Sequence, residues 1–210
     1  VQKLYDALAC HGNQITGKAL ASSTIRGIHS MLHEALDAAK QAGLIPWNPT
    51  EEIPAPKFTC KSKQILTDEQ LDIFMEAIQK DDVWHDFFYT ELTTGLRRGE
   101  ICGLKWEDFD EADGTLKVRR AVHQERGGKL TTWDTKTAAG TRAIILSPST
   151  AELLRERQKS AVTEWIFPDP LRPEQPTRPG TAYNRMKSLL KATGLPDLRF
   201  HDLRHTFATH

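Results

Sequence analysis

Pro46, Pro49, Pro54 and Pro56 all fall within LIPWNPTEEIPAPKFTCKSKQ (44–64), and no regular element can run through that stretch. Each proline lacks the N–H that a helix or a central strand requires, and each pushes the preceding residue toward extended backbone. The chain therefore reads as two parts joined by a linker, 1–60 and 61–210. Ahead of the linker, Ile25, Ile28, Leu32, Leu36 and Ala39 recur at helical spacing in SSTIRGIHSMLHEALDAAKQAG (22–43). Serines stand at the start of that stretch as caps and Gly43 as a stop. A shorter helix is predicted over Gln2 to Ala9.

Behind the linker, TDEQLDIFMEAIQK carries a Thr67/Gln70 capping box and puts Leu71, Phe74, Met75 and Ile78 on one face. A further helix is predicted over 83–94, ended by Gly95. Past Trp106 the apolar period changes. GTLKVRRAV, GKLTTWDT and TRAIILS are short, β-branched and separated by glycine-containing turns, which predicts one small antiparallel sheet. Ser147-Pro148 opens a helix to about Ser160. A proline-rich loop is expected over 168–179, then a helix over 181–193 with Tyr183, Met186, Leu189 and Leu190 inward. The last helix begins at Phe200 or His201. The fold class is mainly α with a small antiparallel β-sheet (α+β). Trp47, Trp84, Trp106, Trp133 and Trp165 are assigned to the core, as are Tyr89 and Tyr183.

Hydrophobic residues make up 39% and charged residues 27%, the balance of a soluble globular chain. No apolar run approaches a membrane span, and no leader precedes the first helix. Cys10, Cys60 and Cys102 lie far apart without a C-x-x-C pair, so neither a zinc knuckle nor a disulfide framework is indicated, and a reducing, cytoplasmic setting is expected. The formal net charge is zero. Its distribution is uneven: residues 66–115 hold 4 basic and 14 acidic side chains, residues 116–160 hold 10 and 4, and residues 171–210 hold 7 and 3. A neutral protein built this way can still present a basic face to phosphate.

The chemistry concentrates in two stretches. In HDLRHTFATH (201–210), helical spacing puts His201, Arg204, His205 and Ala208 on one stripe, with Leu203 and Phe207 on the other side as anchors. His201 and His205 have the i, i+4 spacing of a metal pair, but Arg204 between them opposes a dication and no third ligand stands out. A phosphate site suits the charges better, with Arg204 as a forked donor near a helix N-terminus. Histidines simply packed on a helix surface are the third possibility. The other stretch is TTGLRRGEICGLKWEDFD (93–110). It places Arg97 in the first turn of a helix that follows Gly95, with Glu100 three residues on to hold a guanidinium.

Together these stretches resemble the tyrosine recombinase (phage integrase) family, most closely integrases of conjugative transposons. TGLRRGEICGLKWEDFD is similar to that family's first arginine box and HDLRHTFATH to its second. TWDTKTAAGTRAIILS, between them, resembles the β-hairpin that carries the family's lysine. LIPWNP resembles the end of its helical DNA-clamping domain. The resemblance implies a partial core-binding domain with linker over 1–60 and a truncated catalytic domain over 61–210.

It further implies Arg97, Lys136, His201 and Arg204 as catalytic residues, with no metal and no cofactor. The reaction implied is cleavage and rejoining of DNA through a 3′-phosphotyrosyl intermediate. Tyr5, Tyr89 and Tyr183 all precede His201 and none matches the family's nucleophile, so the chain reads as a fragment without it. Arg26, Lys61, Lys63, Arg142 and Arg185 are candidate phosphate contacts. Double-stranded recombination sites are the expected partner, with self-assembly into a tetramer on DNA and no membrane. The rival readings are a non-catalytic DNA-binding module and a metal-dependent HD-type phosphohydrolase.

Overall fold

The structure, a computed structural model, describes residues 1–57, 64–125, 127–134 and 142–207. The chain divides into two compact units, Val1–Ser62 and Lys63–His210. In the first, helices α1 (Gln2–His11) and α2 (Ser22–Gln41) pack through buried Tyr5 and Ile25. The Tyr5 hydroxyl lies 2.9 Å from His29 Nδ1 on α2. The expected serine cap is not made, because the helix begins after Ala21 with no side-chain cap bond. Gly43 does take the left-handed conformation that ends it (φ 72°). Buried Asn48 pins the proline-rich stretch to α2. Its Nδ2 donates to the His33 carbonyl (3.1 Å) and to Asp37 Oδ1 (2.8 Å), and its Oδ1 accepts from Thr50 N (2.9 Å). Trp47, expected in the core, is half exposed at 49% beside this pin.

The second unit begins with α3 (Asp68–Gln79), α4 (His85–Thr94) and α5 (Arg98–Cys102), followed by a 3-10 turn at Trp106–Asp108. Strands β1 (Phe109–Asp110), β2 (Thr115–Val118), β3 (Arg120–Gln124), β4 (Leu130–Asp134) and β5 (Arg142–Ile145) come next. The chain closes with α6 (Pro148–Lys159), β6 (Pro168–Asp169), β7 (Arg172–Pro176), α7 (Pro179–Ala192) and α8 (Phe200–Phe207). The Thr67/Gln70 capping box forms at the head of α3, with Thr67 Oγ1 accepting from Gln70 N and Gln70 Oε1 accepting from Thr67 N.

Two local corrections apply. GTLKVRRAV is not one strand but two, parted at Arg119. The predicted single sheet is therefore a three-stranded sheet β1-β2-β5 and a separate β3-β4 pair, all antiparallel. The stretch 168–179 is not irregular throughout, since β6 and β7 pair within it.

The core is built around aromatic rings. Phe87 on α4 meets Phe88, Phe167 and Phe200 edge-on at centroid distances of 5.3, 5.3 and 6.4 Å. Such pairs contribute about 0.5–1.5 kcal/mol each beyond the area they bury. Here they also fix where α8 starts against α4. Leu203, one turn on, is fully buried, and Leu66 N donates to Thr206 Oγ1 (3.3 Å). The buried stripe of α8 thus runs through Phe200, Leu203 and Thr206. Phe207, expected as an anchor, falls one residue off that stripe and stays 43% exposed.

Trp84 and Trp165 are buried, and Trp106 is half-buried against the core. Trp133 is not a core residue. On the β3-β4 ribbon it shares a face with Ala121 and His123, opposite the face of buried Arg120 and Val122, and is 64% exposed. Tyr89 and Tyr183 are half-buried and packed against the core. Among the described residues no helix is long and apolar enough to cross a membrane.

Candidate active site

The site is built on a single reversal of the chain. Helix α4 stops at Gly95, whose left-handed backbone (φ 57°) lets its N–H close onto the Glu91 carbonyl (2.9 Å). Leu96 dives into the core and Arg97 emerges with extended backbone (φ −72°, ψ 145°). Arg97 is the cap of α5 rather than a residue of its first turn. Glu100 reaches back to it, Oε2 accepting from Arg97 N (2.9 Å) and Oε1 from Arg97 Nη1 (2.8 Å). That return bond is half of a capping box with arginine where serine or threonine is usual. The chain repeats the device at α8, where Arg199 N donates to Asp202 Oδ2 (2.9 Å).

Arg204, the second expected arginine, arrives from α8. Its Nη1 donates to the Gly95 carbonyl at 2.5 Å, two residues before Arg97. Arg204, distant in sequence, is thus tied to the turn that precedes Arg97. Arg142 from β5 joins the same constellation, its Nη1 and Nη2 donating to Glu100 Oε1 (3.0 Å) and Oε2 (2.7 Å). His201 lies one turn ahead of Arg204 on α8 and is exposed, its ring 4.7 Å from that of His205. Two clefts meet at Arg98. One is lined by Arg97, Glu100, His123 and Trp133, the other by Tyr183, Arg199, Phe200 and His201. Arg185 on α7 pairs with Asp81 (2.7 Å), Arg26 is on the exposed side of α2 in the first unit, and Lys136, Lys61 and Lys63 lie outside the described residues.

Two carboxyl groups under these cations behave oppositely. Burial alone would raise the pKa of Glu100, but the hydrogen bonds from Arg142 and from the backbone and side chain of Arg97 overcome it and hold it at about 2. Glu91, fully buried on α4, meets no hydrogen-bond partner at either oxygen among the described residues. Burial pushes its carboxyl well above the ordinary range, and Glu100 adds to the rise while Arg204 opposes it. Burial thus shifts the Glu91 carboxyl upward, opposite to the shift of Glu100.

The aspartate of the HD dipeptide also has a local explanation. Both oxygens of Asp202 are engaged by Arg199, through Nε (3.0 Å) and Nη2 (2.9 Å) as well as the backbone. Those bonds, the side-chain one foremost, lower its pKa. Among the described residues no group of three or more His, Cys, Asp or Glu is placed to hold a metal ion. Four ion pairs link the segments of opposite charge balance read along the sequence. Arg142–Glu100, Arg185–Asp81 and Arg157–Asp86 (2.8 Å), together with Arg120–Asp108, join the basic stretches to the acidic one.

The sequence indicates Glu100 as the holder of a guanidinium, but not the Gly95 carbonyl, buried Glu91 or the bond from Arg142 to Glu100. The carbonyl leaves no trace in side-chain pattern. Glu91 carried one usable signal, a carboxylate amid the apolar positions of FFYTEL.

Comparison with known proteins agrees with this architecture. The chain matches the Phage integrase family over residues 64–210 and belongs to that family. It is 25% identical over 198 residues to the ICEBs1 integrase of Bacillus subtilis (strain 168), covering 89% of this chain and 53% of that one. It is 30% identical over 198 residues to the putative prophage phiRv2 integrase of Mycobacterium tuberculosis, covering 90% and 52%. The chain thus spans about half the length of the curated relatives it matches. The Tn1549 transposon integrase in complex with a circular intermediate DNA shares the fold, at a TM-score of 0.76 and 24% identity over 90% of this chain and 66% of that one. A lambda integrase tetramer bound to a Holliday junction gives a TM-score of 0.63 and 25% identity, with 90% and 54% covered.

Proposed function

We propose that this chain is part of a site-specific DNA recombinase, carrying most of the groups that act on the scissile phosphodiester. The observation that carries the reading is the hydrogen bond from Arg204 to the Gly95 carbonyl, which ties Arg204 to the turn that precedes Arg97. A phosphodiester carries one negative charge and its pentacoordinate transition state nearly two. Fixed guanidinium groups aimed at the non-bridging oxygens stabilise that added charge without reorganising. At about 4 Å and an effective dielectric near 20, one such pair is worth roughly 4 kcal/mol, or about a thousandfold in rate. In this reading Arg97 and Arg204 hold the phosphate, and His201 hydrogen-bonds it or takes the nucleophile's proton. Lys136 protonates the departing 5′-oxygen. The nucleophile is a tyrosine other than Tyr5, Tyr89 and Tyr183, supplied from outside these 210 residues.

Double-stranded DNA in the cytoplasm is the substrate and, as with the lambda integrase tetramer, the working assembly is four copies on DNA. Arg26, Lys61, Lys63 and Arg185 serve as positioning contacts to the phosphate backbone. The test is single-turnover cleavage of a duplex carrying the core site recovered by sequencing recombination junctions, using the full-length protein. Arg97→Ala should lower the rate by orders of magnitude with little change in DNA affinity, and cleavage should survive EDTA. Loss of cleavage in EDTA would favour the hydrolase, and parallel loss of affinity and rate would make Arg97 a binding residue only.

A further inference from the structure

We infer that Arg142 is a positioning residue for the phosphodiester reaction, holding Glu100 so that Arg97 keeps both its direction and its charge. The inference rests on the recombinase reading above and replaces the phosphate contact expected for Arg142 from sequence.

The geometry carries it. One carboxylate, only 5% exposed, receives four hydrogen bonds from two arginines. Arg142 spans both oxygens with its two terminal nitrogens, the forked arrangement that fixes a carboxylate in plane. From its side chain Arg97 gives only Nη1 to Glu100, and that side chain remains 62% exposed. The charge balance points the same way. Arg97 and Glu100 alone make a neutral pair, which offers a phosphate no net positive charge. Adding Arg142 cancels Glu100 a second time over and returns the trio to a net positive charge. Without Arg142, the poorly solvated Glu100 would draw Arg97 into a closed pair.

Position in the fold gives Arg142 a second lever. It is the first residue of β5, paired with Val118 of β2, and it immediately follows the segment 135–141 that contains Lys136. Its bond to Glu100 therefore ties the strand after the lysine segment directly to the turn that presents Arg97.

The experiment compares Arg142→Gln, Arg142→Lys, Glu100→Gln and the Arg142→Gln/Glu100→Gln pair in the full-length protein, on the same core-site duplex. Arg142→Gln should slow single-turnover cleavage about tenfold to a hundredfold, the scale of a small misplacement. DNA affinity and the slope of its logarithm against log salt should stay unchanged. Arg142→Lys, which keeps the charge but not the fork, should recover part of the rate. In the Glu100→Gln background, Arg142→Gln should add little, because the two act as one unit.

A fall of about one in the salt slope, with affinity loss accounting for the slower cleavage, would instead make Arg142 a phosphate contact. Losses that multiply in the double variant would overturn its action through Glu100. If Arg142→Gln does not fold, the same cycle run with Arg142→Lys decides between the outcomes. One readout needs no activity: Arg142→Gln should move the acid-unfolding midpoint to higher pH, because Glu100 loses a cation. Unchanged cleavage by Arg97→Ala would sink the recombinase reading while leaving that acid shift intact, so the two failures are separable.

Discussion

The ring of Phe200 stands edge-on to the ring of Phe87, 6.4 Å between centroids and 70° between planes, where helix α8 begins against helix α4. That contact helps to seat α8, and Arg204 sits one helical turn beyond it. Phe200→Ala is expected to cost about 3–5 kcal/mol of stability. In any variant population that stays folded, it should also loosen the bond from Arg204 to the Gly95 carbonyl. Urea unfolding gives the first quantity. Cleavage rate under conditions of full folding gives the second, and an undiminished rate would show that α8 is seated by Leu203 alone.

Gly95 is the next point of leverage. Its left-handed backbone costs an L-residue about 1–2 kcal/mol, and a Cβ there would overlap the Phe207 ring. Gly95→Ala should therefore lose more than the backbone cost alone. The same substitution in a Phe207→Ala background should lose only that cost. A melting series on the four proteins measures the difference.

The pH dependence of Glu100 has a definite sign. Its folded pKa, about 2, lies below the unfolded value near 4.5, so its contribution is present above about pH 4.5 and is lost as pH falls toward 2. Wild type should exceed Glu100→Gln by up to about 3 kcal/mol near neutrality. The two should converge in acid, as followed by urea unfolding from about pH 7 down to about pH 2.

Glu91 runs the other way. With its folded pKa raised, stability from this group is full below about pH 4.5 and declines as pH rises toward the folded value, because the unfolded chain ionises first. Glu91→Gln should match wild type near pH 4.5 and become the more stable protein on the alkaline side. If the advantage fails to grow with pH, Glu91 is ionised in the fold after all.

Most of this fold could be read from the order of residues, and the reasons are local. The Thr67/Gln70 box, the stop at Gly43 and the turn at Gly95 depend on neighbours within a few positions, and each forms as expected. Trp133 is exposed because it shares the outer face of its ribbon with Ala121 and His123, and Phe207 because the buried stripe of α8 passes through Thr206 instead. Two strands were merged at Arg119 because GTLKVRRAV has no proline or glycine after its first residue to mark the break. Helical spacing places Arg204 on α8, and the stop at Gly95 marks where Arg97 emerges. What could not be read was partnership across long separations, such as Arg142 choosing Glu100 over solvent, since periodicity carries no information about pairs 42 residues apart.

Those long-separation ion pairs have a consequence for the chain as a polymer. Residues 66–115 carry 4 basic and 14 acidic side chains, residues 116–210 carry 17 and 9, and Asp81, Asp86, Glu100 and Asp108 are sutured to arginines of the later segment. Severed near the Gly114 turn, the two pieces of this unit would be oppositely charged polypeptides with matching seams. They should reassemble when mixed, fastest in dilute buffer and sluggishly in strong salt, which stopped-flow recovery of tryptophan fluorescence would register.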